Sequence, residues 1–339
     1  MSAYAELQVA SNYSFLRGAA HPQEMIERAA ELGHVAMALT DRNTLAGVVR
    51  AHVAARENVA AQKKNTMREN VAAQKKNTMR ESDVRFIPGA RLDLTTGLET
   101  PDEHSGPSFL CLPTDRAAYG RLSSLITVGK RRAPKGQCWI TLDDVLNHAC
   151  GQILIALPPT ANGVAHEEAA FAAMLENFAG DVSAPCYLAA HHLYRGDDAR
   201  RLVRLEAIAE RCGTPLVATN DVHAHDPARR VLQDVLTCIR EHCTIDTAGW
   251  RLEANAERHL KSGAEMARLF VRHANAVART VEIAEACRFS LDELRYEYPA
   301  APVSGGRTVQ EELAHLAWQG AEVRWPDGVT DKVRAQIIH

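Results

Sequence analysis

Short apolar strands alternate with amphipathic helical segments from the beginning of this chain. AELQVA, HPQEMIERAAELG, VAMALT and a long helical stretch from about Thr44 set the rhythm. Brief apolar runs bounded by turn formers read as buried strands, and apolar residues at three- and four-residue spacing read as helices with one face turned inward. Further strands are expected at VRFIPGARLDL, SFLCLP, QILIALP, APCYLAA and TPLVATN, with helices such as DARRLVRLEAIAERC between them. That alternation predicts parallel strands joined by crossover helices. Six or seven such units favour a closed or nearly closed α/β barrel over a small open sheet.

The pattern changes at about residue 260. Beyond it the sequence is helical and poor in strands (GAEMARLFVRHANAVARTVEIAEAC), then crosses FSLDELRYEYPAAPVSGG, rich in Pro and Gly near its end, into TVQEELAHLAWQGAEVRWPDG. Two domains are therefore expected, a β/α barrel over 1–260 and a helical connector over 261–339. DKVRAQIIH reads as a helix with no Gly or Asn to cap it, so a larger domain is expected to follow. Within the first domain RENVAAQKKNTM stands at 56–67 and again, unchanged, at 68–79. Two perfect copies look like a recent duplication in the coding sequence. Their Ala, Gln, Lys, Arg, Glu and Met are strong helix formers, which suits a solvated helical extension or a frayed loop. Lys63, Lys64, Lys75 and Lys76 also allow a basic arm for DNA, although charge runs are usually solvated faces.

Composition narrows the class. A chain of 339 residues with 46% hydrophobic content can bury a sizeable core, and a formal net charge of −3 gives no global pull toward nucleic acid. Any nucleic-acid contact must then be local. Lys130, Arg131, Arg132 and Lys135, in the loop GKRRAPKGQ, offer such a contact to phosphate. Eight cysteines (Cys111, Cys138, Cys150, Cys186, Cys212, Cys238, Cys243 and Cys287) form no CxxC pair, which argues against a zinc ribbon or redox motif and suits buried thiols in a reducing cytosol. There is no signal-like start and no apolar run long enough for a bilayer, so the reading is cytoplasmic, with no membrane partner. GxGxxG, Walker A and G-x-S-x-G motifs are absent.

The richest chemistry lies in PLVATNDVHAHD, where a strand delivers Asp221, His223, His225 and Asp226 into one loop. Loops at strand ends of α/β proteins face shared clefts, and imidazole with carboxylate suits Zn, Mn or Fe. The same residues are also compatible with a helix cap and hydrogen-bonded histidines. A tetrahedral site needs about four ligands, so others must come from elsewhere.

ELQVASNYSFLRGAAHP, ALTDRNTLAGVVRAH, VRFIPGARLDL, LCLPTDRAAYGRLSSLITVGKRR, VATNDVH and CRFSLDELRYEYP occur in this order. Together they resemble the amino-terminal part of bacterial error-prone DNA polymerases of the ImuC type, related to the alpha subunit of DNA polymerase III. The resemblance covers nearly the whole chain outside the repeats. It implies a polymerase-and-histidinol-phosphatase (PHP) domain, a distorted seven-unit β/α barrel of TIM-like form, ahead of the start of a polymerase core. Metal-binding members carry imidazoles at alternate positions of the first strand, where this chain has Glu6, Gln8 and Ala10. An Asp expected in the first turn is Arg17, the His of a TDH motif is Arg42, and a Glu expected after IxG is Arg91. Asp41, Asp221 and His223 match surviving ligand positions, with His191 or His192 near another and His192 the candidate.

A guanidinium cannot deprotonate, so Arg at or beside ligand positions repels a divalent cation. Salt bridges of Arg17 or Arg42 with Asp41 or Asp221 are expected to hold the former site together without metal. The resemblance therefore implies a non-catalytic scaffold in a DNA polymerase acting in damage-induced mutagenesis and translesion synthesis. DNA would be its partner, with the sliding clamp and other mutagenesis proteins as further ones. Mg²⁺ would serve the full-length polymerase, held by palm carboxylates outside this chain. The competing readings are a metal-dependent phosphoesterase or 3'-5' nuclease using Asp41, Asp221, His223 and a histidine at 191 or 192, and a pure interaction module. Deleting one 12-residue copy is expected to leave the melting temperature nearly unchanged in a thermal melt. A strong drop would show that the repeat belongs to the folded body.

Overall fold

The computed structural model describes residues 3–58, 84–95, 106–159, 165–295, 303 and 305–338. The second copy of the repeat and most of the first therefore lie outside the described residues. Seven strands form one sheet in sequence order: β1 (Ala5–Val9), β2 (Ala36–Arg42), β3 (Arg85–Asp93), β4 (Ser108–Pro113), β5 (Gln152–Leu157), β6 (Cys186–Ala190) and β7 (Leu216–Ala218). Helices α1 (Pro22–Glu31), α2 (48–58), α3 (Arg116–Arg132), α4 (Leu142–His148), α5 (Ala165–Asp181) and α6 (Asp198–Cys212) lie in the connections. The α/β barrel expected from the alternation is present.

One expectation fails. β4 runs antiparallel to both β3 and β5, while the other neighbouring pairs are parallel. The β3–β4 ladder is extended by Leu94 N–H donating to Pro107 O at 3.0 Å, as in a hairpin. An antiparallel neighbour needs no crossover helix. β4 is buried along nearly its whole length, so its apolar pattern is that of a parallel barrel strand and carries no sign of direction.

Burial on both faces explains the near-continuous hydrophobicity of the strands. In β5, Leu154 and Ala156 pack outward with Leu122 and Leu125 of α3, Leu175 and Phe178 of α5, and Leu202 and Leu205 of α6. Ile153, Ile155 and Leu157 turn the other way and join Leu7, Ile87 and Leu112 in a separate cluster. A third cluster sets Met25, Ile26 and Ala29 of α1 against Met37 and Leu39 of β2. Amphipathic helices thus cover the sheet on the outside.

Two devices bring the ends of the curled sheet together. After β7 the chain reaches β1, with Val222 N–H donating to Gln8 O at 2.9 Å and Ala10 N–H donating to Val222 O at 2.8 Å. Elsewhere along β1, α10 (Ala274–Ala286) packs on both β1 and β7. Its Ile283, Ala284 and neighbouring Cys287 enter the cluster of Leu7, and Thr280 Oγ1 accepts from Ala5 N–H at 3.2 Å. α10 follows α7 (Arg230–Arg240), α8 (Ile245–Ala248) and α9 (Gly263–Leu269). Residues 1–294 form one compact unit and 295–339 another. The second unit contains α11 (Val309–Arg324), capped by Thr308 and Glu311, and α12 (Asp331–Ile338).

Candidate functional site at the barrel mouth

The C-terminal ends of β1, β2, β3, β6 and β7 deliver polar side chains to one mouth. Asp221 stands just beyond β7 with φ at +46°, a left-handed conformation in which Asp is among the residues most often found. Its Oδ1 accepts from Gln8 Nε2 at 2.7 Å, and its Oδ2 meets Arg258 Nη1 at 2.7 Å. Gln8 completes the circuit, because its Oε1 accepts from Thr219 Oγ1 at 2.9 Å and pairs with His191 Nε2 at 2.8 Å. With the amide nitrogen turned to a carboxylate, the amide oxygen is left for donors, so His191 carries its proton on Nε2. Burial pushes the His191 imidazole down to about 4, so it is neutral at pH 7. Gln8 thereby joins a carboxylate to an imidazole.

Burial alone would raise the Asp221 carboxyl, but the Arg258 guanidinium, helped by His223 and His191, holds it well below the usual carboxylate range. His223 lies with Nε2 at 3.6 Å from Asp221 Oδ1, and its Nδ1 meets Gln233 Nε2 at 2.9 Å. The expected partners of Asp221, Arg17 and Arg42, are not the ones it has. Arg258 arrives instead on a strap sewn across the mouth. Asn220 Nδ2 donates to Glu257 O at 2.9 Å and to His259 O at 2.6 Å, His223 N–H donates to Arg258 O at 2.9 Å, and His34 Nε2 meets Lys261 O at 2.8 Å. The strap has no histidine-rich or glycine-rich signature, and nothing in the sequence marked Arg258.

Asp41 serves a different purpose. It accepts from Ser11 N–H at 2.8 Å, Ser11 Oγ at 2.8 Å and Ser14 Oγ at 2.7 Å, and so grips the loop after β1. Burial raises its carboxyl even against these hydrogen bonds. Gly18 is required in that loop, because a Cβ there would sit 2.1 Å from Ser11 O. Arg42 pairs with Asp93, which also meets Arg91 Nε at 2.7 Å and Ser108 Oγ at 2.5 Å. Against the effect of burial, Arg91 and Arg42 keep Asp93 below the usual carboxylate range. Arg17 has no carboxylate within ion-pair distance among the described residues.

The four residues read as metal ligands are thus not brought together. Asp221 and His223 are neighbours, Asp41 is committed to two serines, and His192 packs edge-on against Tyr194 at 5.1 Å while His191 joins the network. Among the described residues no group of three or more His, Cys, Asp or Glu is arranged to hold a metal ion. The donor set does not fit a divalent cation. Gln8 offers only a neutral amide, and Arg258 already supplies the positive charge that the Asp221 carboxylate demands. Of the basic loop, Arg132 is held bidentate by Asp144 at 2.6 and 3.1 Å, whereas Lys130, Arg131 and Lys135 are exposed. Asp226 caps the turn Pro227–Arg229 by accepting from Ala228 N–H at 2.9 Å.

A seven-stranded α/β barrel with a polar mouth at these strand ends defines the class. The sequence matches the PHP domain over residues 6–176, and the chain belongs to that family. More particularly, it is similar over nearly its whole length to proteins named error-prone DNA polymerase. That of Caulobacter vibrioides is 46% identical over 334 residues, which cover 98% of this chain and 27% of the relative. That of Rhodopseudomonas palustris (strain BisB5) is 43% identical over 335 residues, covering 99% and 27%. The expected resemblance is borne out, and the chain spans little more than a quarter of the length of these relatives. Among solved structures, an amidohydrolase from Chromobacterium violaceum aligns over 66% of this chain and 88% of its own, with a TM-score of 0.44 and 14% identity.

Two outcomes follow from the charges. Arg258→Ala is expected to destabilise the protein by about 3–5 kcal/mol in urea titrations, because it strands a buried carboxylate. Adding Asp221→Asn, whose side chain tolerates the left-handed backbone, should recover most of that loss, and a full-sized loss in the double variant would show the pair is not the anchor. Glu6 gives a pH test. Burial lifts its carboxyl from 4.5 to about 7, so the native state holds a proton that the unfolded chain releases. Its stabilising contribution is present below pH 4.5 and is lost as pH rises through 7. Relative to the parent, Glu6→Gln is expected to gain on the order of 3 kcal/mol between the two ends of that window. A pH-independent difference would place Glu6 at an ordinary carboxylate value.

Proposed function

We propose that this chain is the amino-terminal portion of an error-prone DNA polymerase acting in damage-induced mutagenesis and translesion synthesis, with its PHP barrel as a non-catalytic scaffold. The observation that carries the reading is the Asp221–Arg258 pair bridged through Gln8 to His191, which satisfies by protein groups what metal would satisfy in a hydrolase. Template-directed extension of a primer is the activity of the full-length protein, with Mg²⁺ held by carboxylates of its polymerase core. No catalytic residue is assigned within this chain. DNA is the partner, with the sliding clamp and other mutagenesis proteins as further ones, and the location is the cytoplasm. No helix among the described residues is long and apolar enough to cross a membrane. The division into a barrel over 1–260 and a helical connector over 261–339 is proposed on the change of composition, and α10 is then the connector's contribution to closing the barrel.

The test is elemental analysis of the chain purified without chelators, together with assays on a phosphomonoester, on labelled single-stranded DNA and, for the full-length protein, on a primed template carrying an abasic lesion. The expected result is no stoichiometric Zn, Mn or Fe, no hydrolysis, and Mg²⁺-dependent extension past the lesion only by the full-length protein. Bound metal with hydrolysis abolished by His223→Ala would instead make the chain a phosphoesterase.

A further inference from the structure

Beside the mouth lies an open cleft of about 500 Å³ between the loop after β1, the end of β2, the loop after α3 and the end of α7. Arg17, Arg42, Lys130, Lys135 and Arg240 line it, and no Asp or Glu does. Arg42 is already paired with Asp93, and Arg240 with Glu241 at 2.9 Å. Arg17, Lys130 and Lys135 have no such partner among the described residues. Tyr13 and Phe15 lie on the same wall, and Phe15 is 80% exposed. An aromatic ring held that far into solvent has a face open to a ligand.

The wall is rigid. Asp41 fixes Ser11 and Ser14, while Leu16, at a left-handed φ of +55°, offers its carbonyl to Arg240 Nη1 at 2.9 Å. Phe15 and Arg17 therefore project from a backbone clamped on both sides. Burial, and then the neighbouring Arg42 and Arg240, depress the Arg17 guanidinium to about 10, so it remains charged and lacks a counter-ion. Cations without carboxylates attract phosphodiester oxygens, and an exposed ring among them offers a face on which an unpaired base can stack. Duplex DNA, with its bases stacked on one another, would leave Phe15 unused.

We propose that this cleft binds a segment of single-stranded DNA, with Arg17, Lys130 and Lys135 on phosphates and Phe15 stacked on a base. The choice of DNA over RNA rests on the polymerase reading above; the single-strand chemistry rests on the cleft alone. The site is distinct from the Asp221 network, and it gives part of the predicted basic loop a destination. Lys130 and Lys135 face the cleft, whereas Arg131 and Arg132 do not line it.

Fluorescence anisotropy of a short labelled oligothymidine with this chain tests the proposal. Replacing Arg17, Lys130 and Lys135 together by Gln is expected to weaken binding at least tenfold and to remove about 2 from the slope of log affinity against log salt. Phe15→Ala should weaken it by about tenfold with the salt slope unchanged. Arg116, Arg200 and Arg272, exposed and outside the cleft, replaced together by Gln, should bind as the parent does, and melting temperatures confirm that every variant is folded. Equal loss in both triple variants, or no effect of Phe15→Ala, would reduce the interaction to general polyanion adsorption and overturn the proposal. Tighter binding of oligouridine than of oligothymidine overturns the assignment to DNA. Failure to bind, alongside lesion bypass by the full-length protein, would sink this inference alone; binding without any primer extension would sink the polymerase reading and leave the cleft.

Discussion

A carboxylate buried at the centre of a barrel mouth must be compensated, and in this protein Asp221 sets the terms for everything around it. In a low-dielectric site an uncompensated charge costs several kcal/mol, so a partner must be present in every folded molecule. A metal ion would meet that demand only while bound. Arg258 meets it permanently and from within the chain. Gln8 spreads the same contact to Thr219 and His191, and each buried polar atom of that amide finds a partner. The buried charges of the mouth are thus balanced by groups of the chain itself.

The other charged residues near the mouth are engaged with one another or with the loop after β1. Asp41 organises a loop through two serine hydroxyls. Asp93 takes up the guanidiniums of Arg42 and Arg91, which would otherwise lie unpaired near the mouth. Arg17 is left without a carboxylate, and with Lys130 and Lys135 it gives the neighbouring cleft an excess of positive charge in a chain whose net charge is −3. Local charge can thus oppose the global balance, because screening confines its influence to roughly 10 Å at ordinary ionic strength.

The barrel was legible in the sequence because strands buried on both faces must be apolar throughout, and because helices that cover them must show one apolar stripe. The direction of β4 was not, since a doubly buried strand reads the same in either sense. At the site, the identities of Gln8, Arg17, Arg42 and Arg91 could be read one by one. The partners could not. Arg258 stands 37 positions after Asp221 on an irregular segment, and only three-dimensional closure brings the two to 2.7 Å. The choice between His191 and His192 likewise turns on side-chain direction, which alternates along an extended strand and shifts at its end. Asp93 reads as an ordinary strand residue until Arg42 and Arg91 are seen on either side of it.

The strap at residues 257–261 has a consequence for the order in which the protein matures. A chain leaving the ribosome has all seven strands once Ala218 has emerged, and the loop carrying Asp221 follows at once. The counter-charge on Arg258, and the backbone carbonyls of Glu257 and His259 that receive the Asn220 amide, come later. In that interval the Asp221 carboxylate has Gln8 and His223 within the chain already made, but no guanidinium to balance its charge. The charge balance of the mouth is thus completed by a segment that follows every strand in the chain.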